Sequence, residues 1–168
     1  MNKGITIDIP GCESRTIRTL VSDYTGTYSV GGQLVAGIKD RFIQLAKSVD
    51  IVILTSDSFG TANEQLEGLP VQIRKLQDEE PQGEPDDRKK ERLVQEYVPK
   101  QVAAIGNGNN DRLMLQLVKI AGGLAITVDN GEGCAIDALQ NASLFIVGAR
   151  NALDLLLDPT RCKATLRF

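Results

Sequence analysis

The sequence predicts one α/β domain over residues 1–168, Rossmann-like, with a parallel sheet between two layers of helices and no cap domain. Continuous apolar runs such as DIVILTSD (50–57) and QVAAIG (101–106) are typical of strands buried on both faces of a parallel sheet. Amphipathic segments with helical spacing alternate with these runs. Neither an internal repeat nor a linker divides the chain, which favours a single domain.

The predicted elements follow one another along the whole chain. Strands are expected at 5–10, 16–23, 50–57, 71–76, 101–106, 124–129 and 143–148. Helices are expected at 33–48, 61–68, from 86 or 87 onward, and at 110–121, 131–142 and 151–157. Thr61 and Glu64 have the spacing of a capping box. The polar, proline-rich segment 77–90 predicts an exposed loop that runs into the third helix.

The composition of the chain excludes several kinds of function. The net charge is −3, which does not favour a nucleic-acid surface, and no apolar run approaches the roughly 20 residues that a membrane span needs. Cys12, Cys134 and Cys162 are widely spaced without a CxxC pair, so we expect a reducing, cytoplasmic location. Histidine is absent, which excludes Ser-His-Asp catalysis and His-ligated metal sites.

Polar groups of complementary type follow three of the predicted strands. Asp23 follows TLVS, Thr55 follows VIL, and GNGNND (106–111) follows VAAI, while Lys89 and Lys90 precede that last strand. In parallel α/β folds ligands bind beyond the carboxyl ends of the strands. A carboxylate can attack phosphorus, a hydroxyl and an ammonium can hold phosphoryl oxygens, and oxygen ligands can hold Mg²⁺. The set predicts phosphoryl transfer.

These motifs resemble those of the haloacid dehalogenase (HAD) superfamily. DYTGT (23–27), ILTSD (53–57), a lysine and GNGNND (106–111) occur in that family's order and strand context, over nearly the whole chain. DYTGT is more similar to the DKTGT of P-type cation ATPases than to the DxDGT of typical phosphatases. The segment 122–147 also resembles the end of a P-type ATPase phosphorylation domain. The nearest resemblance is to small, capless, soluble P-type ATPase-like proteins.

The resemblance implies a role for each matching residue. Asp23 would be the nucleophile, Thr25 would offer its carbonyl to Mg²⁺, Thr55 would bind the phosphoryl group, and Lys90, or alternatively Lys89, would neutralise its charge. The implied catalytic residues are Asp23, Thr25, Thr55 and Lys90. The implied phosphate-binding residues are Asp23, Tyr24, Thr55, Ser56, Lys90 and Asn110. The implied Mg²⁺ ligands are Asp23, Thr25, Asn107 and Asp111.

Two residues depart from the phosphatase pattern. Thr25 stands where phosphatases of the superfamily have an aspartate that acts as general acid and base, a group whose loss typically costs about 10²–10⁴ in rate. Asn107 stands where they have an aspartate that binds Mg²⁺ directly. A neutral amide oxygen can coordinate the ion, but one negative charge is missing. We therefore expect weaker Mg²⁺ binding, with Asp111 as a compensating ligand.

The sequence thus predicts a Mg²⁺-dependent phosphohydrolase that works through an aspartyl phosphate on Asp23. Because no segment is long enough for a lid, which would exclude water and select small substrates, we expect slow turnover of small esters. The alternative is a phosphate- or nucleotide-binding module with little or no turnover, or a regulator derived from a P-type phosphorylation domain. The expected partner is a phosphorylated substrate whose identity the sequence does not give, and an open site is compatible with a homo-oligomer.

Overall fold

The computed structural model describes residues 4–168. Its strands are β1 Ile5–Ile7, β2 Arg15–Ile17, β3 Thr19–Ser22, β4 Ser29–Val30, β5 Gln33–Leu34, β6 Asp50–Thr55, β7 Gln72–Lys75, β8 Val102–Gly106, β9 Leu124–Asp129 and β10 Leu144–Val147. Its helices are α1 Ile38–Leu45, α2 Ala62–Gln65, α3 Asp86–Val94, α4 Arg112–Ile120, α5 Ile136–Asn141, α6 Ala149–Leu157 and α7 Pro159–Leu166.

The central sheet has the strand order β10-β9-β8-β3-β6-β7, and its neighbouring strands are all parallel. Strand β3 lies between β6 and β8, and its last residue, Ser22, is in register with Ile53 of β6 and Ile105 of β8. The chain therefore leaves these three strands at the same edge of the sheet. Asp23, the residues after Thr55 and the 106–111 segment open onto this edge, as the sequence predicts.

Helices cover both faces of the sheet. The helices α1 and α6 pack on one face, where Leu20 of β3 belongs to the core. The helices α3, α4 and α5 supply buried residues to the other face, where the neighbouring Val21 points. Both residues of β3 are fully buried, because side chains alternate along a strand and each face has its own apolar layer. The predicted three-layer α/β fold is confirmed.

The predicted strand 16–23 is in fact two strands. Residues of β2 pair with β1 in an antiparallel hairpin outside the main sheet, whereas β3 enters the main sheet. Arg18, between them, donates its backbone N–H to the carbonyl of Gln101 (2.8 Å), so the chain changes partners at this residue. An apolar run in the sequence does not reveal such a change of partner.

The predicted helix at 33–48 begins later, at Ile38. Gln33 and Leu34 form β5, which pairs with β4 in a short hairpin, called here the flap. Gly37 then adopts a left-handed backbone (φ 85°) immediately before α1, a conformation that glycine takes without strain and that ends the extended segment. The apolar residues at the start of the predicted helix lie instead in the flap and in the segment that connects it to α1.

Three further features differ from the prediction: one helix boundary, one helix cap and one additional helix. Helix α5 begins at Ile136 instead of 131, because Gly131 and Gly133 have positive φ values (98° and 94°) and form a loop. The capping box at Thr61 is wrong, since the Thr61 hydroxyl donates to the Gly32 carbonyl. The backbone N–H of Ala62 is instead accepted by the Asp57 carboxylate (2.9 Å). The helix α7 is not predicted from the sequence.

No cap domain is present within residues 4–168. The segment between β6 and α3 contains only α2, β7 and a short 3-10 turn at Leu76–Asp78. Within the described residues, the flap is the only insertion between β3 and α1, because the segment is too short to hold more, as predicted from the sequence. In the described part of the chain, no helix combines the length and the apolar character that crossing a membrane requires.

Replacing Phe42 by alanine tests how firmly the flap side of the site is anchored. Phe42 is fully buried in α1 and meets the ring of Tyr28 edge-to-face, with centroids 5.0 Å apart and an interplanar angle of 89°. We expect Phe42→Ala to lower the free energy of unfolding by about 3–5 kcal/mol, measured by chemical denaturation. The adjacent Ile43 is 49% exposed, so Ile43→Ala should change it by less than about 0.5 kcal/mol. An equal loss of unfolding free energy in Phe42→Ala and Ile43→Ala would contradict this packing.

Candidate active site

Asp23 lies directly after the central strand and is nearly buried, with 4% of its surface exposed. Its backbone N–H donates to the carbonyl of Ile105 (3.0 Å), which continues the β3–β8 pairing past the end of the strand. The turn that follows is closed by the amides of Thr27, Tyr28 and Ser29, which all donate to the carbonyl of Tyr24 (3.2, 2.8 and 3.2 Å). The Asp23 carboxylate therefore has a fixed position at the sheet edge.

Lys90 joins two carboxylates in a buried cluster, called here the triad of Asp23, Lys90 and Asp111. Its ammonium lies 2.8 Å from Oδ1 of Asp23 and 2.7 Å from Oδ1 of Asp111, and the Lys90 side chain is fully buried. The neighbouring Lys89 points elsewhere and donates to the carbonyl of Leu76 (2.8 Å). Of the two lysines that the sequence left open, the structure brings Lys90 to Asp23.

Asp111 has both carboxylate oxygens engaged. Oδ1 accepts from Lys90, while Oδ2 accepts from the backbone N–H groups of Asn107 (2.9 Å) and Gly108 (3.0 Å). A Cβ atom on Gly106 would lie only 2.4 Å from Cγ of Asp111, so this approach requires glycine. The prediction that Asp111 also binds Mg²⁺ stays a prediction, and in this arrangement Asp111 holds Lys90 and the 107–108 backbone.

Burial and charge set the protonation of the triad. Burial, reinforced by the negative charge of Asp111, raises the pKa of Asp23 to about 6, although Lys90 opposes this shift. Burial alone would lower the pKa of Lys90, but the two carboxylates outweigh it and raise the pKa. At neutral pH, above its raised pKa, Asp23 is therefore an ionised carboxylate beside the Lys90 ammonium. A nucleophilic oxygen and a cation thus lie together at the carboxyl edge of the sheet.

Thr55 ends β6 with its side chain fully buried and its Oγ1 accepting from the backbone N–H of Asp57 (2.9 Å). A hydroxyl that accepts one hydrogen bond can still donate its own hydrogen. Ser56 lies next to it, 3.5 Å from the hydroxyl of Ser58. Asp57, with a positive φ of 48°, accepts from Ala62 and pairs with Lys75 (3.1 Å). Asp57 is thus engaged in structural contacts after β6.

The turn 24–29, called here the nucleophile turn after the role predicted for Asp23, carries Thr25 and Thr27. Their hydroxyls have different environments. The Thr25 hydroxyl is buried and has no hydrogen-bond partner within residues 4–168. The Thr27 hydroxyl lies 3.4 Å from Oδ2 of Asp23 and 3.2 Å from Oδ1 of Asn107. One oxygen of Asp23 and one of Asn107 therefore both face the Thr27 hydroxyl. Position 25, where the phosphatase pattern has an aspartate, holds a hydroxyl without a partner in residues 4–168.

The oxygen atoms at this turn fit a sparse magnesium site. In the described residues, no group of three or more His, Cys, Asp or Glu side chains could hold a metal ion. Mg²⁺ is commonly bound by one or two carboxylates together with waters and substrate phosphates. The convergent side-chain oxygens of Asp23 and Asn107 are donors of this hard type. The residues fit an ion whose remaining ligands come from phosphate and water.

The other predicted phosphate ligands have distinct surroundings. The Tyr24 side chain is buried and its hydroxyl donates to the carbonyl of Gly32 (3.1 Å), so it anchors the flap. Its backbone N–H donates to Asp23 and lowers that pKa. Asn110 is half-buried and lines a cavity of about 380 Å³ with Asp86, Asp87 and Arg112 among others. For Tyr24, a phosphate-binding role would therefore use its backbone and not its side chain.

Sequence reasoning missed the loop Asp129–Gly133 as part of the site. Asn130 donates from Nδ2 to the carbonyls of Gly26 (3.3 Å) and Thr27, on the turn that carries Asp23. The carboxylate of Glu132 accepts from the backbone N–H of Gly31 at the tip of the flap (2.7 Å). The one available signal was the position of Asp129 and Asn130 at a strand end.

Comparison with known proteins identifies one curated relative. The chain is 39% identical over 77 residues to the uncharacterized protein MJ0073 of Methanocaldococcus jannaschii, a match over 46% of this chain and 78% of that protein. No family model matches the sequence.

Solved structures share the fold at low sequence identity. A proposed 3-deoxy-D-manno-octulosonate 8-phosphate phosphatase of Vibrio cholerae aligns with a TM-score of 0.63 and 16% identity, over 94% of this chain and 97% of that chain. The corresponding phosphatase of Moraxella catarrhalis, in complex with magnesium, phosphate and 3-deoxy-D-manno-octulosonate (KDO), aligns with a TM-score of 0.60 and 16% identity, over 89% and 90%.

Two further structures with this fold, from Legionella pneumophila and Streptococcus pneumoniae, are described as hydrolases of the HAD superfamily or haloacid dehalogenase-like family. The chain has the fold of these hydrolases, and by its sequence it belongs to one family with the M. jannaschii protein. The fold that the four motifs predict is confirmed. The nearer resemblance to soluble P-type ATPase-like proteins stays a prediction.

The raised pKa of Asp23 predicts a pH-dependent gain of stability when its charge is removed. Since the folded-state pKa, about 6, exceeds the ordinary value of 3.8, ionisation disfavours folding, and the wild type loses stability as the pH rises through this interval. We expect Asp23→Asn to be more stable than the wild type at pH 7, by up to about 3 kcal/mol. In denaturant titrations the difference should narrow as the pH falls through 6 and vanish below the ordinary pKa of 3.8.

Asp57→Asn is the control of opposite sign. Burial opposes ionisation of Asp57, but hydrogen bonds from Ala62 and Lys75 outweigh it and lower its pKa. Its charge therefore stabilises the fold above the ordinary pKa, and this contribution is lost as the pH falls. Asp57→Asn should be less stable than the wild type at pH 7, with a gap that narrows on acidification. The same pH trend in both variants would contradict the assignment for Asp23.

Proposed function

We propose that the chain is a Mg²⁺-dependent phosphohydrolase that acts through an aspartyl phosphate on Asp23 and turns over small esters slowly. The observation that carries this proposal is the buried triad, in which one ammonium contacts both Asp23 and Asp111 at the carboxyl edge of the sheet. Ligands of open α/β sheets bind beyond the carboxyl ends of the strands, and ionisable groups with perturbed pKa values cluster at functional sites. The fold shared with HAD phosphatases supports the same assignment.

The reaction has two displacements at phosphorus. A carboxylate oxygen of Asp23 attacks the phosphorus of a phosphomonoester, the Oδ–P bond forms, and the bond to the leaving oxygen breaks. Water then attacks the phosphorus of the acyl phosphate, the P–Oδ bond breaks, and inorganic phosphate leaves with the Asp23 carboxylate restored. Lys90 compensates the negative charge on the phosphoryl oxygens in both steps, and Thr55 donates its hydroxyl hydrogen to one of them.

Asp23, Asn107 and the backbone carbonyl of Thr25 would hold Mg²⁺. When bound, the ion neutralises charge on the phosphoryl oxygens and orients the group for in-line attack. Because Asn107 contributes no charge, the affinity depends more strongly on the phosphate that completes the ligand set. The M. catarrhalis relative by fold binds magnesium and phosphate together.

Thr25 accounts for the proposed slow turnover. A threonine hydroxyl neither protonates a leaving alkoxide nor deprotonates water near neutral pH, so both displacements lack a positioned acid–base group. The leaving oxygen must then take its proton from solvent, and the acyl phosphate must be hydrolysed by a water that no side chain deprotonates. The open site above the sheet, with no cap domain in residues 4–168, leaves room for a large phosphorylated substrate.

The second candidate function is a phosphate-binding module without turnover, which includes a regulatory role. The unpartnered Thr25 hydroxyl and the single carboxylate at the metal position favour it. Both candidates use the same pocket, so formation of the aspartyl phosphate distinguishes them. In either case the phosphorylated partner is recognised through Asp23, Thr55 and Lys90.

Beryllofluoride, which mimics a phosphoryl group on aspartate, tests the nucleophile. We expect the wild type with Mg²⁺ to bind it in calorimetry, and Asp23→Asn not to bind. Lys90→Met should lower the affinity about hundredfold or more, since it removes the buried partner of a charged group. Lys89→Met is the matched control and should leave the affinity within about threefold, because Lys89 contacts Leu76 instead. Failure of the wild type to bind at millimolar Mg²⁺ would contradict the phosphohydrolase and leave the binding module.

Restoring the acid–base group should accelerate turnover. We expect Thr25→Asp to raise the rate of phosphate release from acetyl phosphate about hundredfold or more, since positioned proton transfer typically supplies about 10²–10⁴. Thr25→Asn has the same shape without the proton-transfer group, and it should stay at the wild-type rate. An equal rate for Thr25→Asp and Thr25→Asn would show that residue 25 does not limit turnover.

A further inference from the structure

Asn130 connects three separate parts of the molecule through one side chain. It follows β9, and its Nδ2 donates to the carbonyls of Gly26 (3.3 Å) and Thr27 on the nucleophile turn. Its Oδ1 accepts from the backbone N–H of Ala149 (2.6 Å) at the start of α6. An amide is the side chain that can donate and accept in opposite directions at once. All of its polar contacts within residues 4–168 are to backbone groups.

The two carbonyls that Asn130 holds are the ones that orient the functional groups of the turn. Thr27 carries the hydroxyl that lies 3.4 Å from Asp23 and 3.2 Å from Asn107. Gly26 follows Thr25, whose carbonyl is proposed to face the metal, and a Cβ on Gly26 would lie 2.6 Å from Asn107. A rotation of either peptide would move these groups relative to one another.

The rest of the loop Asp129–Gly133 is shaped to keep Asn130 in place. The Asp129 carboxylate accepts from the backbone N–H groups of Gly131 (2.7 Å) and Gly133 (3.1 Å), which closes the loop on itself. The carbonyl of Gly133 accepts from Nδ2 of Asn107 (3.3 Å), and Glu132 holds the flap. The loop thus contacts the nucleophile turn, the metal position and the flap together.

We propose that Asn130 is a positioning residue of the active site, which fixes the peptides at Gly26 and Thr27 and thereby the arrangement of Asp23, Thr27 and Asn107. This role rests on the proposed function, because Asn130 positions the groups that would carry out the proposed reaction and does not react itself. Small displacements of supporting groups weaken a preorganised site, even when the groups that contact the ligand are unchanged.

Two substitutions separate positioning from general stability. Asn130→Asp keeps an oxygen to accept from Ala149 but replaces the donor with an oxygen that faces two carbonyls. Asn130→Ala removes all three hydrogen bonds. Asn151→Ala is the matched control, since it removes one hydrogen bond from an asparagine to a backbone carbonyl, that of Val147 (2.8 Å), at the start of the same helix.

The first readout needs no ligand. Hydrogen exchange of the Thr27, Tyr28 and Ser29 amides, which close the nucleophile turn on Tyr24, should be about tenfold faster in both Asn130 variants than in the wild type. Asn151→Ala should leave these rates unchanged. The second readout is the affinity for beryllofluoride with Mg²⁺, which should fall about tenfold in Asn130→Asp while its Tm stays close to that of Asn151→Ala.

The outcomes distinguish this proposal from the proposed function. Unchanged exchange at the turn in Asn130→Asp, or equal acceleration in Asn151→Ala, overturns the positioning role. Faster exchange together with wild-type beryllofluoride affinity also overturns it, because the turn would then move without consequence for the site. If the wild type itself binds no beryllofluoride, the phosphohydrolase fails, and the exchange rates alone decide whether Asn130 fixes the turn.

Discussion

The contact of Lys90 with Asp23 and Asp111 is the interaction on which the site depends. Burying an ammonium with two carboxylates is unfavourable unless each charge has close partners. The protein meets this condition with distances of 2.8 and 2.7 Å and with two backbone N–H groups on the second oxygen of Asp111. The position of every other functional group can be described relative to this cluster.

The fold makes this cluster possible by bringing distant segments to one edge. The strands β3 and β8 place Asp23 and the 106–111 segment side by side, and α3 brings Lys90 across from the neighbouring layer. The apolar layers on both faces of the sheet hold these elements rigidly, since their side chains are almost entirely buried. The energetic cost of the charged cluster is therefore offset by the hydrophobic core beneath it.

The sequence predicted what depends on pattern and order. Apolar runs identified the strands of the sheet, and motif order placed Asp23, Thr55 and 106–111 at one edge, where the structure has them. It could not decide between Lys89 and Lys90, because a one-residue step on a helix rotates the side chain by about 100° and only packing shows which one faces the sheet. It missed Asn130, whose contacts are all to backbone atoms far away in sequence.

Gly106 has a consequence for how this site can change through evolution. A side chain of any kind at position 106 would overlap Asp111, so the residue before Asn107 is closed to substitution while Asp111 holds Lys90. Position 107 is less restricted, because aspartate and asparagine have the same shape and an aspartate there would lose only the hydrogen bond from Nδ2 to the Gly133 carbonyl. A single exchange at 107 would thus change the charge at the proposed metal position without rebuilding the triad. The residue that could tune the site and the residue that permits no side chain are adjacent in the sequence.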